Sequence, residues 1–414
     1  MTVGLNRLTV NCDRLNQSLM QLAEIGRLLK GGVSRVAFTQ EDLLARQMVK
    51  AWMIEAGMSV RTDAAGNIIG RYAGSRAGLG ALATGSHIDT VPVGGRYDGC
   101  LGVLAGIEVV RVLNEQQMRL IHPIEVIVFT DEENSVLGCK AMAGLARYDD
   151  PHYYRRQDGT PINECLKQIG GDWDKLRTAK RDRSEIAAFV ELHVEQGGVL
   201  EANRTQIGVV QGVVGQYRFA VSITGRPNHA GTTPMHMRQD ALVAASQIVL
   251  AVNHLGVEIP GDQVATVGFL EVSPNATNTV PGRVDLKIDL RDLSQCHLEA
   301  LIALLKREIV SIAAATKTEI TVSEVLHVLP TLSAPHIMET IAQVCEEQHL
   351  SHCELPSRAG HDAQEIGRFT DMGMIFVPSR GGISHSEDEY TSPEECAQGA
   401  NVLLHTFLKL DRWY

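Results

Sequence analysis

No run of about 18 apolar residues occurs anywhere in the chain, so nothing in the sequence reads as a membrane-crossing helix. The opening Met1-Thr-Val-Gly-Leu-Asn-Arg-Leu lacks the charged-then-apolar layout of a secretory signal. Eight cysteines are scattered without C-x-x-C spacing, which argues against a thiolate metal knot and for reduced thiols in a cytoplasmic protein. Cys100 and Cys139 read as core thiols. There is no sustained basic stripe, and the net charge of −11 argues against nucleic acid as a partner. Internal repeats and low-complexity linkers are also missing. What remains is an ordinary soluble composition, 44% apolar and 21% charged, over 414 residues, enough for two or three domains.

The informative stretch is Ala83 to Gly99. The apolar run from Ala81 reads as a buried strand ending at His87, and Asp98 stands at the mouth of a helical stretch from Leu101 to Leu113. Pro92, Gly94, Gly95 and Gly99 fold the backbone tightly between them. In α/β sheets the crevice at the carboxyl ends of strands is where ligands bind. Three further apolar runs end the same way. Ile124 to Thr130 leads into Asp131-Glu132-Glu133, Ala187 to Leu192 ends at His193, and Gly373 to Pro378 leads to His385. Buried unpaired charge is costly, so packing does not explain four such strand ends. Three imidazoles, Asp98 and an acidic pair suit two divalent ions bridged by Asp98. Paired ions about 3.5–4 Å apart need such a bridge. Adjacent Glu132 and Glu133 cannot face one ion alike, so one binds and the other meets the water between the ions. Asp89, two residues past His87, would point the same way on an extended chain and accept the second imidazole N–H. Nitrogen and oxygen donors without thiolate fit zinc first, with manganese, cobalt or nickel as alternatives.

The rest of the chain frames these residues. Two helices are expected between about 11 and 57, then two strands around the turn Asp63 to Gly66, then a βαβ alternation and an irregular segment from Tyr148 to Ser184. From about Val213 the order becomes βαββαβ, the split motif of a ferredoxin-like sandwich. The expected architecture is therefore an α/β metal-binding domain with a mixed, mostly parallel sheet (1–212 and 328–414), interrupted by a ferredoxin-like insert (213–327).

Ser86-His-Ile-Asp-Thr, Asp131-Glu-Glu, Glu191-Leu-His-Val-Glu-Gln-Gly, Asn228-His-Ala-Gly-Thr-Thr-Pro-Met, Gly360-His-Asp-Ala and Ile383-Ser-His together resemble the M20-type metallohydrolases. Within them the chain is most similar to the hydantoinase/carbamoylase branch of allantoate amidohydrolases and N-carbamoyl-L-amino acid hydrolases. The resemblance implies one ion on His87, Asp98 and His193, a second on Asp98, Glu133 and His385, and Glu132 as the base. It implies that the insert is a lid and dimerisation domain whose His229 stabilises the oxyanion across a homodimer. Arg291, a planar fork ending a strand, suits a substrate carboxylate. Asn278, Gln196 and Gln216 suit a ureido group, and Gly360 and His361 a pocket wall. The expected activity is hydrolysis of a linear C–N bond in a small carbamoyl or ureido carboxylate, in the cytoplasm, with no membrane or nucleic-acid partner. An aminopeptidase or deacylase on the same scaffold is the enzymatic rival, and a metal-dependent binding protein without catalysis the other. One departure stands out: the branch continues its acidic pair with Gly-Ser/Ala-Arg-Phe, whereas this chain has Asn134-Ser135-Val136-Leu137.

Overall fold

Runs rich in valine and isoleucine become neighbouring strands, because β-branched side chains fit a pleated surface covered on both faces. The structure, a computed structural model, describes residues 8–156 and 158–414. Ile124–Phe129, Ala81–His87, Ile186–Val194 and Asp371–Val377 lie side by side in that order in parallel pairing, almost wholly buried. The margins differ from the mostly parallel expectation. Ser59–Thr62 and Ile68–Tyr72 form an antiparallel edge, and Ile207–Val213 runs antiparallel to the Asp371 strand on the other side. For the first pair connection length decides this, since a tight turn can only return the chain antiparallel. Here Asp63 Oδ1 accepts the N–H groups of Ala65 and Asn67, each at 2.9 Å, and so closes the turn itself.

The helix Cys100–Glu115 is apolar on nearly every side and is buried accordingly among the central strands and the helix Pro393–Leu410. The segment expected to be irregular holds a helix, Ile162–Ile169, and a 3-10 turn, Trp173–Ala179. Buried Ile162, Cys165, Leu166 and Ile169 give that helix its apolar face, a pattern too short to stand out between charged neighbours. Among the described residues, no helix is long and apolar enough to cross a membrane.

Beneath the acidic strand end, Arg46 is buried with every bond directed. It meets Asp42 (3.1 Å), the Gly66 carbonyl (2.7 Å) and the Thr130 hydroxyl (3.0 Å). Removing one partner of a buried pair strands the other charge, at a cost of about 3–5 kcal/mol. Arg46→Met should therefore lower the urea midpoint of unfolding clearly, and an unchanged midpoint would refute this account of the pair.

Chain contacts divide the protein into two compact units, one holding the residues up to Gly212 and Leu332–Tyr414, the other Val213–Thr331. The second unit has four antiparallel strands, Gly215–Thr224, Val264–Ser273, Arg283–Asp292 and Glu319–Val328, in spatial order fourth, first, third, second. Burial alternates along Gly215–Thr224, so Phe219, Val221 and Ile223 face the helices Ala241–Val257 and Gln295–Thr316. The last strand runs on to Val328, past the expected boundary at 327.

Candidate metal centre

The order of the four parallel strands assembles the site. His87 ends its strand, His193 is next to last in its own, Glu132 and Glu133 follow Phe129, and the chain after Val377 leads to His385. Asp98 reaches the same place from the other direction, just before the helix that starts at Cys100. Its two oxygens serve different neighbours. Oδ1 lies 3.2 Å from His193 Nε2 and 3.8 Å from His87 Nε2, while Oδ2 lies 3.2 Å from His385 Nε2, itself 3.4 Å from Glu133 Oε2. His87, Asp98 and His193 form one potential ligand group and Asp98, Glu133 and His385 another, with the ligand atoms of each within 4.8 Å of one another. A third cluster, Glu191, His193 and His361, is as close-set. There, however, Glu191 already accepts the Ser86 hydroxyl (2.7 Å) and the Ala363 N–H (2.9 Å).

The imidazoles are oriented through their other nitrogens. Nδ1 of His87 meets the Asp89 carbonyl at 2.9 Å, and Nδ1 of His193 meets the Val194 carbonyl at 2.8 Å. With Nδ1 donating, Nε2 keeps a lone pair for the centre. Gly99 N–H donates to His193 Nε2 at 3.1 Å, which requires the same tautomer. Gly99 has φ 65°, and a Cβ there would lie 2.5 Å from the His87 ring, so glycine alone lets the turn pass.

The carboxylate of Asp89 corrects the expectation drawn from its spacing. It stands 3.9 Å from His87 Nδ1 and instead accepts the backbone N–H groups of Glu132 (3.4 Å) and Glu133 (3.2 Å). The strand ends at His87, so the alternation that would have aimed Asp89 at the ring no longer applies. Asp89 thus orients the acidic pair. The departure after that pair is also explained locally. Asn134 and Ser135 donate to the Asp131 side chain, Val136 N–H closes onto the Asp131 carbonyl, and Leu137 is buried in the core. Asp131 and Val136 both have positive φ, 57° and 56°, which is unusual above all for the β-branched Val136.

Gln196, also at positive φ, donates through Nε2 to Asp98 Oδ2 (3.0 Å), while its Oε1 is buried without a hydrogen-bond partner. His361 packs its ring 4.5 Å from that of His193, with Nε2 buried and unpaired, and burial beside His193 holds its pKa well below the usual value. Gly360 beside it is exposed. Both cysteines stay out of the centre: Cys100 accepts from Arg35, and Cys139 donates to the Val136 carbonyl.

Sequence reasoning missed Glu389, which is buried and accepts the N–H groups of Tyr97 and Asp98. Its one signal is the acidic run just after His385, which does not distinguish it from Glu387 or Asp388.

The donor set fits divalent cations, because it brings Asp98, Glu132 and Glu133 together with imidazole nitrogens in one small space. Burial raises Glu132 to about 8; Glu133, Asp89 and Asp98 push the same way and His87 opposes. Burial likewise raises Glu133 to about 7 and Asp131 to about 8. A carboxyl whose folded pKa exceeds its unfolded one keeps its proton longer when folded, so stability falls as pH rises between the two values. The metal-free protein should accordingly lose thermal stability from about pH 5 to pH 8, and added zinc or manganese should restore it at pH 8. A flat pH profile without metal would contradict this picture.

Four expected site residues lie in the second unit: His229, expected at the oxyanion, and Asn278, Arg291 and Gln216, expected at the substrate. His229 pairs with Thr279 across two short strands, and its Nδ1 accepts the N–H groups of Gly231 (3.0 Å) and Thr232 (3.2 Å). With Nδ1 accepting, Nε2 is the nitrogen left to donate. Asn278 adjoins it, its carbonyl accepting Ala230 N–H at 2.9 Å. Arg291 and Gln216 are cross-strand partners. The Arg291 fork, expected to face a substrate carboxylate, meets Asp289 through Nε (2.8 Å) and Nη2 (3.2 Å), and Gln216 donates to the same carboxylate at 2.6 Å. Residues two apart on a strand share a face, which brings Asp289 to the fork.

The chain is 39% identical over 403 residues to the N-carbamoyl-L-amino acid amidohydrolase of Geobacillus stearothermophilus, covering 96% of this chain and 98% of that one. It is 36% identical over 415 residues to the ureidoglycolate hydrolase of Arabidopsis thaliana, covering 97% and 87%. The crystal structure of an amidase of the hydantoinase/carbamoylase family from Burkholderia multivorans superposes with a TM-score of 0.91 at 38% identity, covering 97% and 98%. Residues 83–409, which hold all the strand-end ligand candidates from His87 to His385, match peptidase family M20/M25/M40, and the chain belongs to that family.

Proposed function

We propose that the protein is a metal-dependent amidohydrolase cleaving a linear C–N bond in an N-carbamoyl or ureido compound that carries a carboxylate. The observation that carries this reading is Asp98, whose two oxygens face two imidazole-bearing groups with Glu132 alongside. Two divalent ions on those groups, zinc or else manganese, cobalt or nickel, would polarise the scissile carbonyl and acidify the attacking water. Glu132 takes the proton from that water and hands it to the leaving nitrogen. Asp89 holds Glu132 and Glu133 by their backbone, so the base and its neighbour keep distinct directions. Gln196 offers a buried, unpaired acceptor beside Asp98, which suits the N–H of a ureido group. Relatives named for N-carbamoyl amino acids and for ureidoglycolate support the same substrate class.

The second unit is, in this reading, a ferredoxin-like lid and dimerisation domain. His229 Nε2–H is its donor to the developing oxyanion. Arg291 and Asn278 bind substrate, Arg291 after exchanging Asp289 for the substrate carboxylate. An edge strand with exposed Phe269 and Leu270 supports its use in self-association. The eight free cysteines fit a cytoplasmic location.

The test is ammonia release from metal-loaded protein over N-carbamoyl-L-amino acids, ureidoglycolate, allantoate and 3-ureidopropionate, with amino-acid release from dipeptides and N-acyl amino acids measured alongside. Turnover of the last two classes alone would replace this reading with a peptidase or deacylase. No turnover of any by protein holding its full metal complement would leave a binding protein.

A further inference from the structure

Glu389 touches both sides of the centre. Its Oε1 accepts the backbone N–H groups of Tyr97 (2.9 Å) and Asp98 (3.1 Å), and its Oε2 accepts the Ser384 hydroxyl at 2.9 Å. Residue 95 must be glycine for this approach, since a Cβ there would overlap the carboxylate. Ser384 directly precedes His385, on a loop closed at its base by Arg380 N–H donating to the Tyr390 carbonyl at 2.9 Å. One carboxylate therefore grips the turn that carries Asp98 and the loop that carries His385.

The decisive atom is the Ser384 proton. Ser384 Oγ lies 2.9 Å from Glu389 Oε2 but also 3.3 Å from Asp98 Oδ2, and it receives Gln196 Nε2 at 3.3 Å. A hydroxyl has one proton to give. Given to Glu389, it leaves to an ion the lone pair of Asp98 Oδ2 that Gln196 Nε2 does not take. Given to Asp98, it competes with the ion for that pair.

We propose that Glu389 is a positioning residue of the metal centre, which fixes the Asp98 turn through two backbone N–H groups and draws the Ser384 proton away from Asp98 Oδ2. This rests on the two-ion reading above and on nothing about the substrate.

Glu389→Gln separates the two roles. Its carbonyl oxygen still takes both backbone N–H groups, while its NH2 faces Ser384 as a donor and turns the serine proton toward Asp98. Affinity for the ion at Asp98, Glu133 and His385 should fall about 10–100-fold, the usual scale for an outer hydrogen-bond partner. The ion at His87 and His193 should change less. Ser384→Ala in the same chain removes the rerouted proton, so the double variant should recover most of the loss, which a general folding defect would not allow.

Titration of metal-free full-length protein with cobalt, read by its visible absorption and by bound metal after dialysis, measures both affinities without any assay of hydrolysis. Wild-type affinity in Glu389→Gln, or a double variant that binds no tighter than Glu389→Gln, overturns the proposal. Should the parent protein bind a single ion, the two-ion reading fails, and the same comparison is made on that ion, because Asp98 belongs to both groups. A parent that binds both ions yet hydrolyses no ureido compound would sink the functional reading alone.

Discussion

Asp98→Ala should strip the protein of both ions and abolish hydrolysis. Asp98 alone is common to the two ligand groups His87–Asp98–His193 and Asp98–Glu133–His385. Its loss leaves two nitrogens in one group and one nitrogen with one carboxylate in the other. It also leaves Gln196 Nε2 without its nearest acceptor. Metal ions contribute several kcal/mol of transition-state stabilisation, and each 1.4 kcal/mol is about tenfold in rate, so kcat/KM should fall by at least about 10³. His385→Ala makes the contrast. That ring is half-exposed and belongs to one group only, so its removal should weaken chiefly one ion. Elemental analysis after dialysis, with circular dichroism to confirm folding, distinguishes the two. Two tightly held ions in Asp98→Ala would end the bridging description.

Several ligand candidates stood out in the sequence because they lie where an apolar run stops, and the end of a strand is a local event. His87, His193 and the Glu132–Glu133 pair can be read that way with no knowledge of the fold. Single elements of the second unit were legible for a related reason: period-two alternation in Tyr217 to Thr224 and the apolar face of Ala241–Val257 are visible within a few residues. The residues that support the ligands were not. Glu389 meets the Asp98 backbone from 291 positions away, and no local pattern encodes such a contact. Asp89 was assigned to the wrong partner because alternation was extended past the last strand residue. The pairing of Arg291 with Asp289, on the same strand face, also went unread. The antiparallel strand Ile207–Val213 and its partner His352–Ser357 were hidden for the same cause as Glu389, since their pairing joins distant parts of the chain.

Glu132→Gln should keep both ions and lose the reaction. Glu132 belongs to neither ligand group, although its Oε2 lies 3.6 Å from His87 Nε2, so an amide of the same shape leaves the metal donors in place. Its backbone N–H still reaches Asp89, which preserves the direction of the side chain. What disappears is the ability to take a proton. Burial lifts Glu132 to about 8 in the protein without metal, and Glu133, Asp89 and Asp98 add to the shift. On the proposed reading, bound cations would pull it back down and leave a base that can accept a proton and return it near neutral pH. General acid–base catalysis of this kind contributes at least about 10² in rate, so kcat should fall by that factor or more. The pH profile supplies a second check. Protonation disables the base, so the wild-type rate should decline on the acid side, and that limb should flatten in Glu132→Gln. If the metal-loaded variant turns over at nearly the wild-type rate and keeps its acid limb, the proton is taken by another group and Glu132 serves only to shape the site.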